Sequence, residues 1–349
     1  MTIDEILQTT PRTPWSRHLR PAYAPRNGKR LCLALEPYRR HMTDEGSLLQ
    51  EGLAYGHYHL RGAYLPYDDT DVERILDDEE PGTVFVQDIR DWMPGTSGCY
   101  DPNAGFINWQ ALGEDRRVFR VTVLKDAHAA QKLQEGAHAL MGIHAWLVYY
   151  HPRLVAGIAP WVRPQDLIRI YHCVHPGCVP KYTADRKGCL LAGALSDYHY
   201  PLRTRLAKLA DSANGPIEYL KHPGYGAVGT ATPSFLQTMS RYKVAVCTCS
   251  IWGFALRKTI EATACGCVVI ANLPEDDKLP DIDANIIRIR SEAANQEILD
   301  LVRYHIDHYD AEKQAWLSDL ATASYDFRRV GRNAADAIEL LRRSYNHQG

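Results

Sequence analysis

The feature that most constrains this chain is an alternation. Short apolar runs rich in Val, Ile, Leu and Cys recur between longer stretches whose apolar residues fall at helical spacing. A strand covered on both faces reads as a continuous apolar run, and parallel neighbours must be joined by long crossovers, usually helices. The expected class is therefore α/β with parallel sheets. One series of strand candidates is Arg30–Leu35, Thr83–Asp88, Val118–Leu124, Ala145–Tyr150 and Leu167–His172; a second is Gly188–Ala192, Ile217–Leu220, Val244–Cys249, Cys267–Ala271 and Ile286–Ile289. They meet at the Pro/Gly-rich, charged stretch His175–Lys187. At roughly 150 residues per domain, 349 residues accommodate two. The expected layout is an arm over 1–29, domains over 30–180 and 181–310, and closing helices over 311–349 that pack back on the first domain.

Charge and cysteine content narrow the setting. Forty basic side chains against forty-two acidic ones leave a net charge of −2, without the broad positive field of a nucleic-acid coat. The arm is the exception: it carries Arg12, Arg17, Arg20, Arg26, Lys29 and Arg30 with no acid between Ile6 and Leu35, and suits either a solvated leader or a polyanion contact. Apolar runs such as Cys265–Ala271 fall short of the roughly 20 residues that span a bilayer, so no membrane span is expected. Met1–Leu7 carries Asp4 and Glu5, unlike a secretory signal, and the nine cysteines read as reduced, buried residues of a cytoplasmic protein. The cluster His172, Cys173, His175 and Cys178 leaves too little chain to wrap a tetrahedral ion, so no metal site is expected.

The chemistry concentrates in Ser240–Glu275. Here the strand Val244–Cys249 ends in a loop holding Ser250, Gly253 and Phe254, and a helix then runs over Leu256–Cys265. In open α/β sheets ligands sit beyond the carboxyl ends of strands, where helix N-termini present N–H groups. Arg257 and Glu261 are one helical turn apart on one face, with Lys258 offset by about 100°.

The run Lys258, Thr259, Ile260, Glu261, Ala262, Thr263, Ala264, Cys265, Gly266 and the following apolar strand resemble the donor-binding half of GT-B glycosyltransferases. The resemblance implies two Rossmann-like domains facing across a cleft. It also implies Glu261 on a nucleotide ribose and Arg257 or Lys258 on a diphosphate. Eight residues before Glu261, where many members hold a second Glu, stands Gly253, which points to a divergent branch whose loop backbone contacts the sugar. Arg203, at a helix start, is a second phosphate candidate, and His222 lines the same face.

The activity implied is transfer of a sugar from a nucleotide diphosphate sugar, UDP-sugars first, to an acceptor hydroxyl, without metal or cofactor. The acceptor stays open among a small molecule, a glycan and hydroxymethylated DNA of the phage type, for which the basic arm is suited. A nucleotide-sugar epimerase and an inactive nucleotide-binding module are alternatives. An inverting transfer needs a base in the first domain. Asp126 and His128, after strand Val118–Leu124, are the first candidates, with Asp88 and Asp91 in reserve.

Overall fold

The structure, a computed structural model, describes residues 30–34, 48–49, 52–53, 59–61, 84–88, 119–124, 127–128, 142–210, 215–222 and 232–346. The basic arm, Asp91, Asp126 and the turn after His222 lie outside them.

The strands form two parallel sheets. In the first, β1 (Arg30–Ala34), β2 (His59–Arg61), β3 (Val84–Asp88), β4 (Phe119–Leu124), β5 (Ala145–Val148) and β6 (Leu167–Arg169) take the order β2-β1-β3-β4-β5-β6. In the second, β7 (Lys187–Ala192), β8 (Ile217–Leu220), β9 (Tyr242–Val246), β10 (Val268–Ala271) and β11 (Ile286–Arg288) take the order β11-β10-β9-β7-β8. In both, the first strand lies between the second and the third, so the connections leave it in opposite directions. A crevice opens at such a switch point, beyond the strand ends between β1 and β3 and between β7 and β9.

The chain divides into two compact units, one of Pro11–Tyr171 with Phe327–Gly349 and the other built on His172–Asp326. The first contains α1 (Pro152–Ile158). The second contains α2 (Pro201–Ala210), α3 (Thr232–Met239), α4 (Arg257–Ala264), α5 (Asn295–Asp307) and α6 (Ala311–Ser324). In its core Leu191, Val244, Val246 and Ile270 pack with Leu202 and Leu206 of α2 and Ile298 and Val302 of α5. Each helix thus contributes an i, i+4 pair, and each such side chain withdrawn from water stabilises the fold by about 1.5–3 kcal/mol. The alternate strand residues Leu190, Ala245 and Val269 are buried too, which is why these strands read as unbroken apolar runs.

The last two helices belong to different units. Helix α6 stays with the second: Ser318 Oγ donates to Ala264 O at 2.5 Å, and Gln314 Nε2 donates to Asn285 Oδ1 at 3.0 Å. Asn285 Nδ2 passes the network on to Cys267 O at 2.8 Å. Helix α7 (Phe327–Asn346) belongs to the first unit, where Tyr345 Oη donates at 2.8 Å to the buried Asp166, which Arg163 Nε also reaches at 2.6 Å. At Gly331 the helix backbone approaches Gly52 so closely that a Cβ there would strike it.

The sequence places the unit boundaries at 180/181 and 310/311, whereas packing divides the chain at 171/172 and 326/327. The reason is a strand-like tie: Val174 bridges to Asp326, and its N–H donates to Tyr325 O at 2.9 Å. The Pro/Gly-rich composition marks an irregular segment, and that segment is already part of the second unit.

Candidate anion site at the ends of β7 and β9

Two helices begin at the C-terminal edge of the second sheet beside its switch point, and both carry cations in the first turn. Helix α2 presents Arg203, helix α4 presents Arg257 and Lys258, and neither first turn holds an acid. This reverses the usual bias, because the positive end of a helix dipole favours anions. Leu256, the residue before α4, supplies no side-chain cap.

The two central cations meet at Gly193. Arg203 is 2 % exposed and is held by Thr248 Oγ1 at 2.9 Å, Ala194 O at 2.9 Å and Thr248 O at 3.1 Å, with its guanidinium 4.0 Å from the centre of the Tyr200 ring. Burying a guanidinium is costly unless its donors are used, and these contacts fix it beside the end of β7. Lys258 Nζ donates to Ala192 O at 2.8 Å. Gly193 lies between them at φ 121°, a conformation that favours glycine. A Cβ there would collide with Lys258 Nζ and lie 2.8 Å from Arg203 Nη1. Tyr219 Oη fixes the loop by donating to Gly193 O at 2.9 Å.

The cations perturb one another. Loss of hydration, then repulsion by Arg203, pulls the Lys258 amine down to about 7. His222, just beyond β8, is lowered by burial and then by Lys258 and Arg203. Three basic groups therefore share one site and are mutually destabilised as cations.

Glu261 is 4 % exposed, and its Oε1 lies 2.9 Å from Arg257 Nε, so Arg257 faces the carboxylate rather than the Gly193 cradle. Ser250, 6 % exposed at the end of the β9 loop, leaves its Oγ buried without a hydrogen-bond partner. Gly253, at φ 71°, closes a turn by donating its N–H to Ser250 O at 2.9 Å, and Phe254 is buried beneath it.

Sequence reasoning missed an aromatic group joining the two loops. Ile251 N–H donates to His199 O at 3.0 Å, Trp252 lies 5.4 Å from the His199 ring and 6.2 Å from Phe254, and the exposed Tyr198 meets His199 edge-on at 4.9 Å. The only signal in the sequence is the coincidence of aromatic residues in two strand-end loops more than fifty residues apart.

In the first unit, β3 ends at Asp88, and His128 is half-buried in a turn beyond β4. Asp126 and Asp91 lie outside the described residues. His175 accepts from Gly177 N–H at 3.0 Å, capping a short turn. Among the described residues no group of three or more His, Cys, Asp or Glu side chains is arranged to hold a metal, and none of Cys173, Cys178, Cys189, Cys247, Cys249, Cys265 and Cys267 is in a disulfide. Burial pushes the Cys247 and Cys267 thiols up to about 12, which keeps them from acting as nucleophiles at neutral pH. Among the described residues no helix is long and apolar enough to cross a membrane.

No family model and no curated relative matches the chain. Solved structures do. Sucrose-phosphate synthase from Thermosynechococcus elongatus aligns with TM-score 0.61 at 11% identity, covering 90% of this chain and 100% of that one. HepE from Anabaena in complex with UDP aligns with TM-score 0.53 at 13% identity, covering 89% and 100%. HepE in complex with UDP-glucose gives 0.52 at 14%, covering 89% and 99%. The chain spans 60% of the length of the chain it matches in the GtfA/B complex.

Proposed function

The fold is that of GT-B glycosyltransferases, and we propose that this chain moves a sugar from a nucleotide diphosphate sugar, of which UDP-sugars are the first to test, to an acceptor hydroxyl. The observation that carries this reading is the convergence of Arg203 and Lys258 on Gly193 at the switch point of the second sheet. Likeness to HepE bound to UDP and to UDP-glucose supports the choice of nucleotide.

In this reading the acceptor oxygen bonds to the anomeric carbon while the bond from that carbon to the diphosphate oxygen breaks. The electron pair stays on the diphosphate, and the acceptor proton passes to a base. Arg203 and Lys258 stabilise the charge growing on the leaving group, the interaction that lowers a transfer barrier most directly. Glu261, positioned by Arg257, accepts from the ribose hydroxyls; Arg257 thereby leaves the phosphate role to Lys258. Ser250 Oγ supplies the hydrogen bond it lacks in the protein, and the Gly253–Phe254 backbone borders the sugar. His222 stands on the phosphate side. Asp126 is the proposed base, with His128 after it. Because the positive charge comes from side chains, the reaction is proposed to need no metal, and the cytoplasm is the proposed setting.

The test is a panel of UDP-, GDP- and ADP-sugars scored by melting-temperature shift and by release of free nucleoside diphosphate in the presence of glycan, small-molecule and duplex-DNA acceptors. One donor family is expected to stabilise the protein and to release diphosphate, undiminished by a chelator. A changed sugar without a second substrate would indicate an epimerase, and no response to any donor would end the proposal.

A further inference from the structure

Lys258 occupies a place where positive charge is opposed from several sides. It lies in the first turn of α4, at the positive end of the helix dipole. The Arg203 guanidinium of α2 and the His222 imidazole beyond β8 are its charged neighbours from other elements. From beyond β9 it faces the Cys247 thiol, which burial keeps neutral. On its own helix it faces Glu261, and that carboxylate is already joined to Arg257 at 2.9 Å. Part of the residue remains accessible, yet desolvation is the largest influence on the amine, and its anchor is a neutral acceptor, Ala192 O at 2.8 Å.

We infer that Lys258 Nζ, held on Ala192 O beside Arg203 and Gly193, takes up a proton when a nucleoside diphosphate binds against Gly193, so that donor binding is coupled to proton uptake. The inference rests on the diphosphate reading above and adds to it a change of charge at one named atom. The amine lone pair takes a proton from solvent, and the resulting ammonium donates to the phosphate oxygens. When the diphosphate leaves, the proton returns to solvent. The cation is thus complete only while its anion is present, which relieves the repulsion with Arg203 in the empty site. An amine poised near about 7 changes charge at little cost there, whereas a solvated lysine near about 10.4 would be charged throughout.

The test is calorimetric titration of the full chain with UDP, GDP and ADP at pH 8, in Tris and in HEPES, which differ in ionisation enthalpy. A terminal phosphate ionises near about 6, so the nucleotides are fully charged there and contribute little uptake themselves. For the nucleotide that binds, the buffer dependence is expected to correspond to at least about half a proton taken up, and affinity to fall about twentyfold between pH 7.5 and pH 9. Lys258→Met is expected to bind more weakly with no uptake, Lys258→Arg to bind with no uptake and a flat pH profile, and His222→Gln to retain the uptake. Enthalpy independent of buffer in the wild type, or uptake that survives Lys258→Met or is lost only in His222→Gln, overturns the inference while leaving the diphosphate reading intact. If none of the three nucleotides binds, that reading fails and the inference with it.

Discussion

Two buried arginines at opposite ends of the second sheet show how similar surroundings serve different ends. Arg186, just before β7, donates to Thr183 O, Tyr242 O and Cys265 O at 2.7–3.1 Å and lies 4.3 Å over the Tyr182 ring. Arg203, near the other end of the same strand, likewise makes three hydrogen bonds and lies 4.0 Å over a tyrosine, Tyr200. The difference is in what faces them. Arg186 meets the carbonyl end of α4, where the helix dipole is negative and a cation is stabilised. Arg203 meets Lys258 and His222 and stands in the first turn of its own helix. One cation is balanced by the fold; the other stands at the positive end of a helix beside two further basic groups.

The sharpest way to break this comparison is to neutralise each arginine in turn. Charge-assisted hydrogen bonds are worth about 1.5–3 kcal/mol each, so Arg203→Met should lower kcat/KM for the donor by at least about 100-fold in molecules that remain folded. Arg186→Met should instead leave turnover per folded molecule within about twofold and lower the melting temperature by about 5–10 °C, because buried carbonyls lose their donor. Parallel assays and melting curves decide; equal behaviour of the two variants would dissolve the distinction. Next in size is Lys258→Met, expected to lower turnover by about 10–100-fold and ground-state donor binding by less, since the charge it meets grows in the transition state. Glu261→Gln should weaken nucleotide binding by about tenfold, with a smaller loss for the 2′-deoxy nucleotide if the carboxylate accepts from the ribose. Calorimetry on both nucleotides checks this.

The smallest effect belongs to the balanced end. Lys187 Nζ lies 2.7 Å from Glu218 Oε2 with both side chains more than half exposed. The hydrogen bond from Lys187, then that from Tyr242, lowers the Glu218 carboxyl below its usual 4.5. Its contribution is therefore present above pH 4.5 and lost as the pH falls through the depressed value. With solvent screening, Glu218→Gln should cost less than about 1 kcal/mol, and melting curves in high salt should shrink the difference further.

Much of the architecture was legible because its signal is local. Among the described residues the apolar runs identified every strand but β2, a three-residue His-Leu-Arg edge strand that offers no run or alternation to read. The strand expected over Val244–Cys249 ends in the ladder at Val246, because Thr248 and Cys249 turn their polar groups to Arg203 and Asn272 while remaining buried. Burial without pairing looks the same as a strand in one dimension. The Glu261 helix and its cations could be read from spacing along one element. The burial of Arg203 could not, since its partner Thr248 is 45 residues away, and the same first-turn arginine reads equally well as a surface residue.

The route of the chain has a consequence for how the protein is made. The first unit begins near the N-terminus yet needs α7, Phe327–Asn346, to cover Asp166 and to seat Gly331 against Gly52. The whole of His172–Asp326 is translated in between. At about 5–20 residues per second, the ribosome needs roughly ten to thirty seconds for that interval. Through it the first sheet waits without its last helix, and by its end the described strands and helices of the second unit have all been made. The part of the protein synthesised first is therefore the part finished last, and a stop codon that removes only the final helix would spare the candidate anion site and deprive the other unit of its closing element.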